Sequence, residues 1–143
     1  MTATTTPELT LVSCPCCGLL PLDEAIKPLL HVFNAHGLPT DDSCCGHRGK
    51  PRERRAYVSF DADEATLHEF MATMRALDTG LLFTLEVDWD KRFDDACEVL
   101  HLCLRITDAR GRAPKPTDLA ALAKEFDVAL AARATAHTAM AAA

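Results

Sequence analysis

The clearest pattern in this chain is strict alternation of apolar and polar positions between residues 82 and 107. Phe83, Leu85, Val87 and Trp89 fall on one side of an extended segment, and Thr84, Glu86, Asp88 and Asp90 fall on the other. After a polar stretch at 91–95, a second segment over 97–107 places Leu100, Leu102, Leu104 and Ile106 on one face. A period of two marks a strand with one buried face. Two such strands joined by a short polar connection predict an antiparallel hairpin with one solvated side.

Elsewhere the period is helical. Leu67, Phe70, Met71, Met74 and Leu77 share one helix face, Asp61 and Glu64 resemble a capping box before it, and Gly80 stops it. Leu22, Ile26, Leu29, Leu30 and Phe33 predict an earlier helix ended by Gly37. Pro28 leaves two versions of it: a kinked helix begun at Asp23, or a shorter one that starts at the proline and runs to about His36. Thr117 caps a last helix bearing Leu119, Leu122, Phe126 and Leu130. Residues 55–60 read as a strand, 9–12 as a short strand and 40–55 as a loop rich in Asp, Ser, Gly and Pro.

Residues 1–8 read as a disordered tail and the Ala-rich 135–143 as a fraying end, which leaves a single domain over 9–134. The expected fold class is α+β: a single layer of mostly antiparallel sheet, three to five strands, covered by about three helices.

Composition narrows the class. A chain of 143 residues suits one core rather than two, and 48% apolar residues set it apart from disordered sequences. A net charge of −6 argues against wholesale electrostatic binding to nucleic acid but leaves room for a local basic patch. No apolar run approaches the roughly 20 residues of a membrane span. The N-terminus lacks the basic and apolar regions of a signal peptide. The expectation is a cytoplasmic protein with no membrane partner. In that compartment disulfides are rare, and clustered thiols point to metal or redox chemistry.

The cysteines are clustered. Five of the seven lie in Ser-Cys-Pro-Cys-Cys-Gly at 13–18 and Ser-Cys-Cys-Gly-His at 43–47. Two residues between a ligand pair let a tight turn aim both at one ion, and zinc takes four such ligands in a tetrahedron. Cys14 with Cys17 and Cys44 with His47 have that spacing, with Cys16 and Cys45 as alternates, and the 26 residues between Cys17 and Cys44 leave space for one helix. A zinc site joining the clusters would convert binding energy into folding energy. The alternative is a pair of turns whose thiols act as small buried hydrophobes. A redox pair fits less well, because the Cys-x-x-Cys lacks a strand-to-helix setting. His31 and His36 are alternative ligands, but on an apolar helix face they read rather as packed, and Cys97 and Cys103 read as core or half-exposed thiols of the hairpin.

The second cluster adjoins cationic residues. Thr40, Ser43, Gly46 and His47 precede Arg48, Lys50, Arg52, Arg54 and Arg55, five cations in eight residues, with Tyr57 just beyond. Hydroxyls, accessible backbone, an imidazole and guanidinium groups suit a phosphate-bearing ligand. The alternative is a solvated basic loop balancing nearby carboxylates. Glu86, Asp88, Asp90, Asp94 and Asp95 read as the wet face of the hairpin. The other readings of that row are a hard-cation site or a complement to the basic loop of a neighbouring subunit.

The stretch Leu38-Pro39-Thr40-Asp41-Asp42-Ser43-Cys44-Cys45-Gly46-His47, followed by Ala56-Tyr57-Val58-Ser59-Phe60, resembles small bacterial and phage proteins with a helix, a Thr-x-x-Ser-Cys-x-Gly-His loop and a short strand. The pattern is also distantly similar to the Ser-Ser-Cys-Ser-Gly-Arg signature of the tRNA wybutosine-synthesis methyltransferase family. His47 stands here where that signature has arginine. The resemblance covers about residues 24–60 and implies that the 40–47 loop belongs to a functional site. The leading expectation is a metal-binding module whose loop holds a nucleotide, a nucleic acid or a protein partner. Behind it stand an RNA- or nucleotide-modifying enzyme and a non-catalytic interface protein that forms a homo-oligomer.

Overall fold

The computed structural model describes residues 24–88 and 99–142. The expected strand at 9–12, the Cys14–Cys17 knuckle, Trp89 and Cys97 lie outside these residues. In chain order the elements are α1 (Lys27–Ala35), β1 (Thr40–Cys44), β2 (Ala56–Ala62), α2 (Glu64–Ala76), β3 (Leu82–Asp88), β4 (Leu100–Thr107) and α3 (Pro116–Ala142). Among the described residues the strands form one sheet of order β1-β2-β4-β3, with every neighbouring pair antiparallel. The α+β class with a helix-covered antiparallel sheet is the fold.

Alternation decides which face is covered. Ala56, Val58, Phe60 and Ala62 of β2 and Leu100, Leu102, Leu104 and Ile106 of β4 are buried in one core with residues of all three helices. Phe33 of α1 lies at its centre. Its ring packs edge-on against Phe60, Phe70 and Phe126 at centroid distances of 5.3, 5.5 and 5.3 Å. Such edge-to-face contacts add to the burial of apolar area. The opposite face of the sheet carries Tyr57, Ser59 and Asp61 of β2, His101, Cys103 and Arg105 of β4, and Glu86 of β3. No helix of the described residues is long and apolar enough to cross a membrane.

Pro28 falls in the first turn of α1, as in the shorter of the two expected helices, where its missing N–H leaves no hydrogen bond unmade. Asp63, rather than Asp61, caps α2, accepting from the Thr66 N–H at 2.7 Å. The last helix extends through Ala142 and so includes the stretch expected to fray.

One segment differs in kind: residues 40–44, expected as loop, form β1. Their side chains are mostly polar, so no apolar alternation marks the strand. The ladder to β2 and the fixing of Thr40 hold it instead, with Asn34 Nδ2 donating to Thr40 Oγ1 at 2.9 Å. The ladder slips between Thr40, opposite Phe60, and Asp42, opposite Ser59. Asp41 is therefore the extra residue of a β-bulge, a device that re-aims side chains at sheet edges.

Candidate functional site

The β1–β2 connection leaves the end of β1 through a tight turn. Gly46 has φ +89°, and a Cβ there would collide with the Arg54 carbonyl oxygen and stand 2.8 Å from Ala113 Cβ. The glycine is needed for shape. Its carbonyl accepts from the Arg54 N–H at 2.8 Å, which closes the base of the loop. His47 follows with φ 55°, in the left-handed region.

This turn brings the second cysteine cluster together. Cys44 Sγ lies 3.3 Å from His47 Nε2, and Cys45 Sγ lies 3.9 Å from His47 Nδ1. The Gly46 N–H donates to Cys44 Sγ at 3.4 Å, and the His47 N–H donates to Cys45 Sγ at 3.3 Å. Ligands of a tetrahedral zinc, with Zn–S near 2.3 Å and Zn–N near 2.0 Å, stand about 3.5 Å apart. The Cys44–His47 separation thus suits two corners of one tetrahedron. Cys45 packs with the main core, whereas Cys44, also buried, packs with Tyr57 and Cys103 on the other face of the sheet.

The proposed ligand-binding residues divide into two sets. Thr40 is tied to Asn34, and Ser43 is buried on the helix-covered side of its strand, opposite Val58. Arg48 donates to Asp108 Oδ2 at 2.9 Å and to the Ala113 carbonyl at 2.6 Å, bolting the loop to the β4–α3 connection. Glu53 accepts from the Gly49 N–H and pairs with Arg112, and these bonds hold its carboxyl below its ordinary value. These residues build the loop. Arg54 and Arg55 remain exposed, whereas Tyr57 is buried.

Arg54 and Tyr57 line a concavity of about 490 Å3 on the open face, shared with Asp42, Ser59, Glu86, His101, Cys103 and Arg105. The Tyr57 hydroxyl donates to Asp42 Oδ2 at 3.2 Å. The Arg105 guanidinium lies 5.8 Å from the centre of the Tyr57 ring and donates to Glu86 Oε1 at 2.9 Å. The Glu86 bond raises the Arg105 pKa further above neutrality. Burial pushes the Cys103 thiol up, against a Ser59 hydrogen bond and the Arg105 charge, which favours its neutral form. A second, shallower surface beside it is lined by Arg52, Glu53, Arg54, Arg55 and Arg105.

Sequence reasoning missed most of this concavity. Ser59, His101 and Arg105 were absent from the candidates; Cys103 was read as a core or half-exposed thiol, and Glu86 as part of a wet face, a hard-cation site or a complement to a neighbouring subunit's basic loop. The signal was the polar half of each alternating strand: Tyr57, Ser59 and Asp61 on β2, and His101, Cys103 and Arg105 on β4.

The Arg48 bolt gives a testable pH dependence. The Arg48 hydrogen bond foremost, with backbone N–H donors of Arg112 and Arg110, holds the Asp108 carboxyl down from 3.8 to about 2. A carboxyl depressed in the folded state contributes stability above its unfolded pKa and loses it as pH falls through the folded one. Stability from this group is therefore complete above about pH 4 and disappears toward pH 2. In an acid titration followed by circular dichroism, Asp108→Asn should be less stable at pH 7 and should converge on the parent toward pH 2. A constant gap between the two curves down to pH 2 would refute the assignment.

No protein-family model, curated protein or solved structure matches this chain.

Proposed function

We propose that the protein is a metal-organised binding module that holds a phosphate-bearing ligand at the cations of the β1–β2 loop and the open face of the sheet. One observation carries the reading. Arg54 lines the concavity beside Arg105, and Arg52, Arg54 and Arg55 make no ion pair among the described residues. Arg48 and Arg112 are consumed by structure; these three are not. Guanidinium groups match phosphate oxygens in paired, charge-assisted hydrogen bonds, and the buried Tyr57 forms part of the concavity wall beside Arg54.

The donor chemistry of Cys44 and His47 fits zinc. Cys14 and Cys17, with Cys16 and Cys45 as alternates, would supply the remaining ligands. The ion would tie the N-terminal knuckle to the turn from which the arginine loop departs.

The test is calorimetric titration of the zinc-loaded chain with a nucleoside triphosphate, alongside elemental analysis. Arg54→Ala/Arg55→Ala should weaken binding by roughly ten- to a hundredfold, the scale of lost hydrogen bonds between charged groups. Unchanged affinity in a folded double variant would end the ligand reading. The parent should hold about one zinc per chain, and Cys44→Ser should lose it. A parent without stoichiometric zinc would remove the metal half alone.

A further inference from the structure

Three strands bring ligating atoms to one point on the open face, away from the cysteine turn. Asp41 of β1, Asp61 of β2 and His101 of β4 each place one donor atom within 4.8 Å of the other two. We infer that these side chains form a second cation site, specific for a divalent ion that accepts carboxylate and imidazole together, of which Mn2+ is the most suitable probe.

The arrangement follows from the ladder and its one defect. His101 stands opposite Asp61 in the β2–β4 register, so the two share a face. Regular alternation after Asp42 would turn Asp41 to the other side. The bulge breaks that alternation and brings Asp41 Oδ2 to 3.5 Å from His101 Nδ1, while Asp61 Oδ1 lies 2.9 Å from the same nitrogen. Asp88 occupies the position opposite His101 on β3, a further acidic residue in register with the cluster.

Distance and charge both favour an ion. Neighbouring ligands of a six-coordinate ion with bonds near 2.1 Å stand about 3 Å apart. The two Nδ1–carboxylate separations already have that spacing. Two carboxylates converge on one imidazole nitrogen, and a divalent ion held among the three would balance their negative charge while taking the Nδ1 lone pair. Hard oxygen donors suit Mg2+ and Mn2+, and imidazole shifts the preference toward the first-row ion. The His101 side chain is 16% exposed and held in place, while those of Asp41 and Asp61 are 53% and 47% exposed. The aspartates can therefore close on an ion whose remaining positions are filled by water.

The cluster also adjoins the concavity, because His101 lines it with Arg54 and Arg105. An ion there would add positive charge at one end of the groove and bridge to a phosphate oxygen. That last role rests on the phosphate reading; the ion site itself does not.

The experiment is therefore run with the metal alone. Mn2+ is titrated into the zinc-loaded full chain with no phosphate present and followed by electron paramagnetic resonance. The parent should bind about one Mn2+ at micromolar to submillimolar concentration. Asp41→Asn/Asp61→Asn, an isosteric change at exposed positions that keeps the fold, should weaken binding by at least about tenfold, and so should His101→Gln. His68→Ala, which removes an exposed imidazole on α2 outside the cluster, should leave Mn2+ binding unchanged. No binding by the parent at 1 mM Mn2+, roughly the upper end of divalent sites in proteins, overturns the proposal. Undiminished binding by the double asparagine variant overturns it as well. Neither outcome bears on nucleotide affinity at Arg54, so the two readings fail separately.

Discussion

Phe33→Ala is expected to cost about 3–5 kcal/mol of unfolding free energy, a large share of what a domain of this size has. Phe33 is fully buried, and its ring touches β2 through Phe60, α2 through Phe70 and α3 through Phe126. Removing it opens a cavity where all three helices meet the sheet, and a rigid sheet cannot collapse to fill it. Urea denaturation of the parent and the variant measures the loss. Phe33→Leu, which keeps much of the volume, should cost roughly 1–2 kcal/mol. A loss below about 1 kcal/mol for the alanine variant would show that α1 does not close the core as described.

Gly46→Ala should be the most damaging change in the loop, at roughly 2–4 kcal/mol, from a strained positive φ added to overpacking. The new methyl would meet the Arg54 carbonyl and Ala113, neither of which can move without opening the loop base. Gly37 supplies the control. Its φ is +78°, but nothing among the described residues lies within 4 Å of a Cβ there, so Gly37→Ala should cost only about 1 kcal/mol. Equal losses for the two variants, measured by thermal or urea unfolding, would contradict the packing at Gly46. The same substitution should loosen the Cys44–His47 pair, because the Gly46 N–H donates to the Cys44 sulfur.

What could be read from the sequence tracks how each residue is held. The hairpin of β3 and β4 was legible because Phe83, Leu85, Val87 and Leu100 to Ile106 are positioned by burial, and burial leaves a period of two. The face of α2 with Leu67 and Phe70 was legible for the same reason at the helical period. β1 was not, because Thr40, Asp42 and Ser43 owe their extended form to the ladder with β2, and backbone pairing leaves no mark on side-chain type. The candidate site divides the same way. Cys44 and His47 are three residues apart, and their contact was predictable from a turn. Asp41, Asp61 and His101 are joined by strand register and a bulge, and sequence spacing carries neither.

The length of α3 has a consequence for the motions of the chain. At 27 residues the helix is about 40 Å long, yet through residue 136 its buried side chains are Leu119, Leu122, Ala123 and Phe126, all in its first half. Residues 131–136 are exposed on every side. Opening the first half requires giving up the phenylalanine cluster and so approaches global unfolding. Opening residues 131–136, beyond the core contact of Leu130, gives up exposed helix held mainly by the weak preference of alanine for helix over coil. Amide protection should therefore fall along a single unbroken helix from Phe126 toward residues 131–136, the stretch that whatever touches it can order or unravel without disturbing the core.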